Sequence, residues 1–205
     1  MIDIAIPNNN EAEFIELAAR LGHKKLHFLY NFDDYDKDKI QKKLESIENK
    51  KINMQIGFII NQKNINKALQ QSKFLVAKSS DKDRFFIESK KVKMIYGFEE
   101  INKKDYLHQR ASGLNHVLCE LANKNNVSIG FAYSSLFNKN PETASLIMGR
   151  MMQNISLCRK YKVKTIIGSF SENPFDMRSL HDTISLFSML GMDTHLTKNY
   201  LTSIL

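Results

Sequence analysis

The stretch HQRASGLNH, residues 108–116, sets two histidines, an arginine, a serine and an asparagine side by side. Histidine, serine and arginine together are materials for hydrolysis. A serine nucleophile, however, needs a base, and that base needs a third group to orient it. The motif holds no carboxylate that could orient His116, and the chain has no GxSxG elbow. Ser112 stands ahead of an apolar helical pattern, where capping the helix is its simplest use. On that helix His116 falls about 200° from Leu114 and Leu118, so it faces solvent or a partner. Arg110 lies just before it. The cluster reads as a grip on something anionic.

Two other stretches could bind anions. GSFSENPFDMRS brings Ser169, Ser171, Asn173 and Arg178 to the start of a helix, whose free backbone N–H groups can hold a phosphate. The competing reading is an ordinary loop in which Ser179 and Asp182 only cap the helix. The helical stretch from Asn140 to Lys162 carries Arg150, Gln153 and Asn154 on one face, opposite Ala144, Ile147, Met151, Ile155 and Cys158. It ends in Arg159, Lys160 and Lys162, a placement that suits a helix C-terminus. That effect does not explain the density of polar groups across both helices.

Metal chemistry finds little support. There is no HxH, HExxH or CxxC spacing, and His27, within a strand pattern, reads as a packed or mouth residue rather than a ligand. Metal-dependent phosphoesterases built on related barrels, the PHP type, carry on their first strand an Asp and two alternate histidines that point into the barrel mouth. The corresponding run here, MIDIAIPNN, has Asp3 but places Ala5 and Pro7 where the histidines would stand. A stand-alone phosphoesterase of this type is the alternative function.

The elements that must position these residues alternate. Apolar runs at 2–6, 25–30, 52–60, 73–78, 92–98, 127–133 and 163–170 read as strands. Helical patterns follow them at 10–22, 33–50, 64–72, 81–89, 112–126, 140–162 and 179–191, with a final helix over 193–205. Strand and helix in alternation, without hairpin turns, imply parallel strands with helical crossovers. The expected fold is α/β: a TIM-like (β/α) barrel of about seven parallel strands with surrounding helices, forming one domain over residues 1–205. A regular barrel has eight strands, so closure should be irregular. A doubly wound open sheet is the alternative.

Composition narrows the partners. The 205 residues carry a net charge of +8, with 42% hydrophobic and 25% charged residues. This balance suits a globular protein with a polyanionic partner: RNA, DNA or an acidic membrane surface. Lysine dominates, and four of the six arginines lie after residue 100, which points to recognition in the second half. Cys119 and Cys158 sit in helical patterns and read as buried free thiols, implying a reducing, cytoplasmic setting. No apolar run approaches the roughly 18 residues of a membrane span. The opening MIDIAIPNNNEAEF lacks the basic start of a secretory signal.

Three blocks also carry a resemblance. HQRASGLNHVLCELANKNNVSIGFAYSSL, GRMMQNISLCRKYKVKTIIGSF and NPFDMRSLHDTISLFSMLGM occur in that order. They resemble the ribonuclease P protein component 3 family of archaea, the counterpart of the thirty-kilodalton subunit of the eukaryotic enzyme. The likeness is close over residues 92–193 and one of layout before that. It implies a metal-less relative of the PHP barrels. It implies a subunit of the ribonucleoprotein that removes the 5′ leader from precursor tRNA, with the chemistry carried by the RNA subunit and its Mg2+. This chain would bind no cofactor. It would support the catalytic RNA together with a small ferredoxin-like protein subunit and the other proteins of the holoenzyme, away from any membrane. By matching motifs, Arg110, His116, Lys160 and Arg178 belong to the RNA- or partner-facing surface, and Asp182 matches an acidic position. Gln109 stands where the family often has a second basic residue. With the helix-borne cations added, the expected interface is Arg110, His116, Arg150, Arg159, Lys160, Lys162, Arg178 and Asp182, with no catalytic residue and no metal ligand.

Overall fold

The computed structural model describes residues 1–47, 52–102, 104–137 and 139–194. Seven strands form one sheet in sequence order: β1 (Ile2–Ala5), β2 (Lys25–Asn31), β3 (Asn53–Ile59), β4 (Leu75–Lys78), β5 (Met94–Tyr96), β6 (Ser128–Ala132) and β7 (Thr165–Gly168). Every neighbouring pair is parallel. The crossovers are α1 (Glu11–Arg20), α2 (Lys37–Glu45), α3 (Ile65–Gln71), α4 (Asp83–Ser89), α5 (His116–Asn125) and α6 (Pro141–Lys160), and α7 (Leu180–Met189) follows β7. The expected barrel is the one found. The tail of the α2 pattern (48–50), His195 and the final helix lie outside the described residues.

The barrel closes between β7 and β1 without an eighth strand. Phe170 donates its N–H to the Ile4 carbonyl at 2.7 Å, and Ile6 donates to the Ser171 carbonyl at 2.9 Å. The Ser169 hydroxyl donates to the Ile4 carbonyl at 2.8 Å, and the Ser169 N–H donates to Asp3 Oδ1 at 2.7 Å. A side-chain carboxylate thus supplies an acceptor where the β7–β1 ladder is short.

Two apolar layers result. The outer one joins strand residues such as Leu26, Phe28, Phe58, Ile95 and Phe131 to the helices. The inner one holds strand-borne Ile2, Ile4, Leu29, Val76, Met94 and Ile166 with Phe74, Tyr96 and Phe170. Tyr96 and Phe170 stack at 4.5 Å and 14°. Glycines make room for these rings: a Cβ at Gly57 would collide with Phe74, and one at Gly130 would lie 2.9 Å from Tyr96 Cβ. The interior is therefore a packed plug.

Strand parity corrects the expectation for the first strand. Ile2 and Ile4 point into the barrel, while Asp3 and Ala5 face the helix layer. Asp3 cannot be a mouth residue. It is fully buried, and Tyr133 donates its hydroxyl to Asp3 Oδ2 at 3.1 Å. His27 does point inward, packing 4.8 Å from Phe74 with neither ring nitrogen partnered. Burial, with a smaller push from Lys25, lowers its pKa to about 4 and keeps it neutral.

Candidate functional site

The opening motif is mostly an anchor. A long connection, residues 97–115, runs from β5 to α5 and wraps the outer side of α6. Within it Asp105 accepts from the Ala111 N–H at 2.9 Å, and Asn102 donates to the Ala111 carbonyl at 3.0 Å. Gly113 has φ +79°, and a Cβ there would lie 2.5 Å from the Phe98 carbonyl oxygen, so only glycine fits. Leu114 is buried. The helix cap is Asn115, whose side chain accepts from the Leu118 N–H at 2.9 Å. Ser112 is not the cap: it is buried, its hydroxyl has no partner, and α5 starts later, at His116. The buried side of α5 is Cys119 and Ala122, and Val117 is exposed. His116 is exposed in the first turn, as its position implies.

Arg150 departs most from expectation. It is 2% exposed, and Asn154 is fully buried. Arg150 Nε donates to Asp105 Oδ1 at 2.7 Å, and Nη1 donates to the carbonyls of Glu99 (2.9 Å) and Asn102 (2.6 Å). Asn154 donates to Glu99 Oε1 at 2.7 Å and to the Ser112 carbonyl at 3.0 Å. The supposed polar outer face of α6 is thus the floor on which the long connection is pinned. Arg150 is spent inside the fold, which removes it from the expected contact surface. Burial pushes the Glu99 pKa up to about 7, partly offset by the Asn154 hydrogen bond. Arg110 is exposed, but its guanidinium lies against the α6 backbone at Gly149, where any Cβ would overlap it.

The loop after β7 is the ordinary one. The Ser171 hydroxyl donates to Asp176 Oδ2 at 2.7 Å, and the Asn173 side chain accepts from the Phe175 N–H. Arg178 Nη1 donates to the Phe175 and Met177 carbonyls at 2.8 Å, with the guanidinium 4.3 Å from the Phe137 ring centre. Ser179 caps α7 by accepting from the Asp182 N–H, and its hydroxyl donates to Asp182 Oδ2 at 2.8 Å. The Ser169 and Ser171 hydroxyls, Arg178 Nη1 and the Asp182 N–H are thus used within the fold, while Arg178 stays half-exposed and Asp182 exposed.

The remaining candidates sit elsewhere. Arg159, Lys160 and Lys162 are exposed at the C-terminal end of α6, beside the strand starts. Arg110, His116, Arg178 and Asp182 lie toward the strand ends, the usual working face of such barrels. The structure therefore divides the expected surface between opposite ends. At the mouth, a cavity of about 370 Å3 rests on Tyr96 and Phe170, with Asn31, Lys78, Glu100 and Glu172 around it. No histidine lines it. Among the described residues no three His, Cys, Asp or Glu side chains gather as a metal site. No helix of the described residues is long and apolar enough to cross a membrane. Cys119 and Cys158 are buried free thiols.

Comparison with known proteins places this geometry. The chain is 36% identical to ribonuclease P protein component 3 of Thermococcus kodakarensis over 40% of this chain and 37% of that protein. It is 24% identical to the protein of that name from Methanococcus maripaludis over 85% of this chain and 79% of the relative. The alignments with the Thermococcus relatives span about two-fifths of their length. A chain in the cryo-EM structure of archaeal ribonuclease P with mature tRNA superposes with a TM-score of 0.78. That match covers 97% of this chain and 86% of the other at 19% identity, a likeness of fold. The family model described as RNase P subunit p30 matches residues 101–204, half of the chain, and it takes in the connection pinned on α6, the basic end of that helix and the Arg178 loop. The chain belongs to the RNase P subunit p30 family.

Proposed function

We propose that the protein is a subunit of ribonuclease P, the ribonucleoprotein that removes the 5′ leader from precursor tRNA. The chain binds and supports the catalytic RNA and performs no chemistry itself. Magnesium ions held by the RNA carry the cleavage, and this barrel needs no cofactor. It works beside a small ferredoxin-like protein subunit and the other proteins of the holoenzyme. The whole of residues 1–205 acts as one barrel domain in the cytoplasm, a setting that suits its two buried thiols. The observation that carries the reading is the plugged barrel: Phe74, Tyr96 and Phe170 fill the interior, and Asp3 faces away from it. Family membership and the +8 charge agree with it. Arg110, His116, Arg159, Lys160, Lys162, Arg178 and Asp182 remain the contact residues proposed for RNA or protein, while Arg150 acts from beneath by holding the connection that bears Arg110.

Reconstitution tests this reading. Pre-tRNA cleavage is measured with the RNA and the remaining proteins, with and without this chain, over a magnesium series. Omission should raise the magnesium requirement or slow cleavage, and the chain alone should cut nothing. Unchanged cleavage on omission overturns the reading. Stoichiometric zinc or manganese in the purified protein, with hydrolysis of a chromogenic phosphodiester, would instead establish a PHP-type phosphoesterase.

A further inference from the structure

The two ends of the barrel differ in charge. At the strand starts, cations precede strand after strand: Lys24 before β2, Lys73 before β4, Lys91 before β5, Lys124 before β6, and Lys162 and Lys164 before β7. All six are exposed, and among the described residues none is in an ion pair. The sheet rim fixes their neighbourhood. Lys24 donates its N–H to the Met1 carbonyl and accepts from Asn53, while Ile129 donates to the Lys164 carbonyl. The mouth end is mixed by contrast: Asp33 and Asp34 after β2, Asp81 after β4, Glu100 after β5, and Glu172 and Asp176 after β7 stand among Lys63, Lys78, Lys82, Arg110 and Arg178.

Helix dipoles account for Lys124, in the last turn of α5, but not for the rest of the basic rim. Helices in such a barrel end at the strand starts, where lysine is favoured in the last turn. Yet the last turns of α3 and α4 contain no basic residue, and Lys73 and Lys91 lie beyond those helix ends. The rim is also poor in exposed rings: Tyr161, at the end of α6, is half-buried with Lys160 over its ring. The exposed aromatics Phe85, Tyr106 and Phe175 belong to the first turn of α4 and to mouth-side segments. Single strands are held by stacking bases on such rings, whereas duplex RNA is held by backbone and shape. Lysine point charges without a stacking platform suit the second case.

We propose that the strand-start rim, from Lys24 round to Lys164, docks the phosphate backbone of double-stranded RNA. This rests on the reading of the chain as an RNA-supporting subunit, and it enlarges the patch begun by Arg159, Lys160 and Lys162.

The test compares two charge-reversed variants of the full chain. One carries Lys73→Glu, Lys91→Glu, Lys124→Glu and Lys164→Glu. The other carries Lys37→Glu, Lys63→Glu and Lys82→Glu near the mouth. Fluorescence anisotropy reads binding to ribonuclease P RNA and to a paired RNA hairpin of arbitrary stem sequence, from about 50 to 200 mM salt. The rim variant should lose at least about tenfold affinity for both RNAs, and its log–log salt slope should fall by about three. The mouth variant should match the parent, and thermal melting should be unchanged in both. Parental binding by the rim variant, an equal loss in the mouth variant, or better competition by single-stranded RNA overturns the proposal. So does retained RNA binding with lost association to a protein subunit, which would make the rim a protein face. If the chain stimulates cleavage and the rim variant does so equally, the rim assignment fails and the function stands. If the hairpin binds through the rim but omission of the chain leaves cleavage unchanged, the function fails and the rim stands.

Discussion

Two buried polar networks sit on opposite flanks of β6 and are built differently. At the seam between β7 and β1, the Asp3 carboxylate accepts from the N–H groups of Ile4 and Ser169 and from the Tyr133 hydroxyl. Tyr133 in turn accepts from the Arg178 N–H at 3.3 Å. Both carboxylate oxygens of Asp3 have a partner. On α6, Arg150 and Asn154 hold Glu99, Asn102, Asp105 and the Ser112 carbonyl, yet Arg150 Nη2, Asn154 Oδ1 and the Ser112 hydroxyl have no partner. The first network completes a barrel that lacks a strand. The second fastens a long surface segment, and it leaves polar atoms unmatched beneath the residues proposed to touch a partner. Satisfied networks specify one arrangement, while incompletely satisfied ones give up stability.

Arg150→Ala should break the α6 network most severely. It removes three hydrogen bonds of a buried guanidinium, two to carbonyls and one to the partly exposed Asp105, which keeps the Ala111 N–H, and should cost about 3–5 kcal/mol. Chemical denaturation reads the loss; a destabilisation below about 1 kcal/mol would mean the long connection does not depend on this side chain. Asp3→Ala tests the seam. It leaves three donors unsatisfied and should cost about 2–4 kcal/mol, with faster amide exchange concentrated at Ile6 and Phe170. Uniform exchange across the sheet would show that the seam is not a separate weak point.

Glu99 sharpens the contrast through pH. Its folded pKa of about 7 lies above the usual 4.5, because burial disfavours the charge. A raised carboxyl pKa supplies stability below about 4.5 that is lost as pH rises through about 7. Glu99→Gln keeps an acceptor for Asn154 and removes the ionisation. The variant should gain up to about 3 kcal/mol on the parent at pH 8 and little at pH 5. A gain that does not grow with pH would place the charge elsewhere. Gly149→Ala should have the smallest effect on folding, within about 1 kcal/mol, since better helix propensity opposes the displacement of Arg110. It should still weaken RNA binding measurably, and equal affinity would show that the Arg110 position is incidental.

These contrasts also mark what could be read from residues alone. The seven strands stand out as short apolar runs because both faces of each are covered, and Asn140, Pro141 and Ser179 announce their helices by cap chemistry. Arg150 was misplaced because helical periodicity separates polar from apolar faces without saying what covers the polar one. Here residues 97–115, with almost no regular pattern, cover it. The local signal was Asp105 and Glu99 as carboxylates upstream of an Arg and an Asn about one helical turn apart on α6. The first strand was legible only in part: Ile2, Ile4 and Ile6 alternate with Asp3 and Ala5, and that period separates two faces, but with both buried it does not say which set is inward. Division of the cations between two ends follows from element direction, which a one-dimensional tally of charges conceals.

The contact between Arg110 and Gly149 has a consequence for binding strength. A free surface arginine samples many rotamers, and fixing it on a ligand costs conformational entropy of about 0.5–1.5 kcal/mol. Lying on a helix backbone bared by glycine, this guanidinium is already confined before any partner arrives. A guanidinium that rests against the helix there has less freedom to lose when a phosphate meets it. A single missing methyl on the helix thereby turns an exposed, flexible cation into a pre-oriented one.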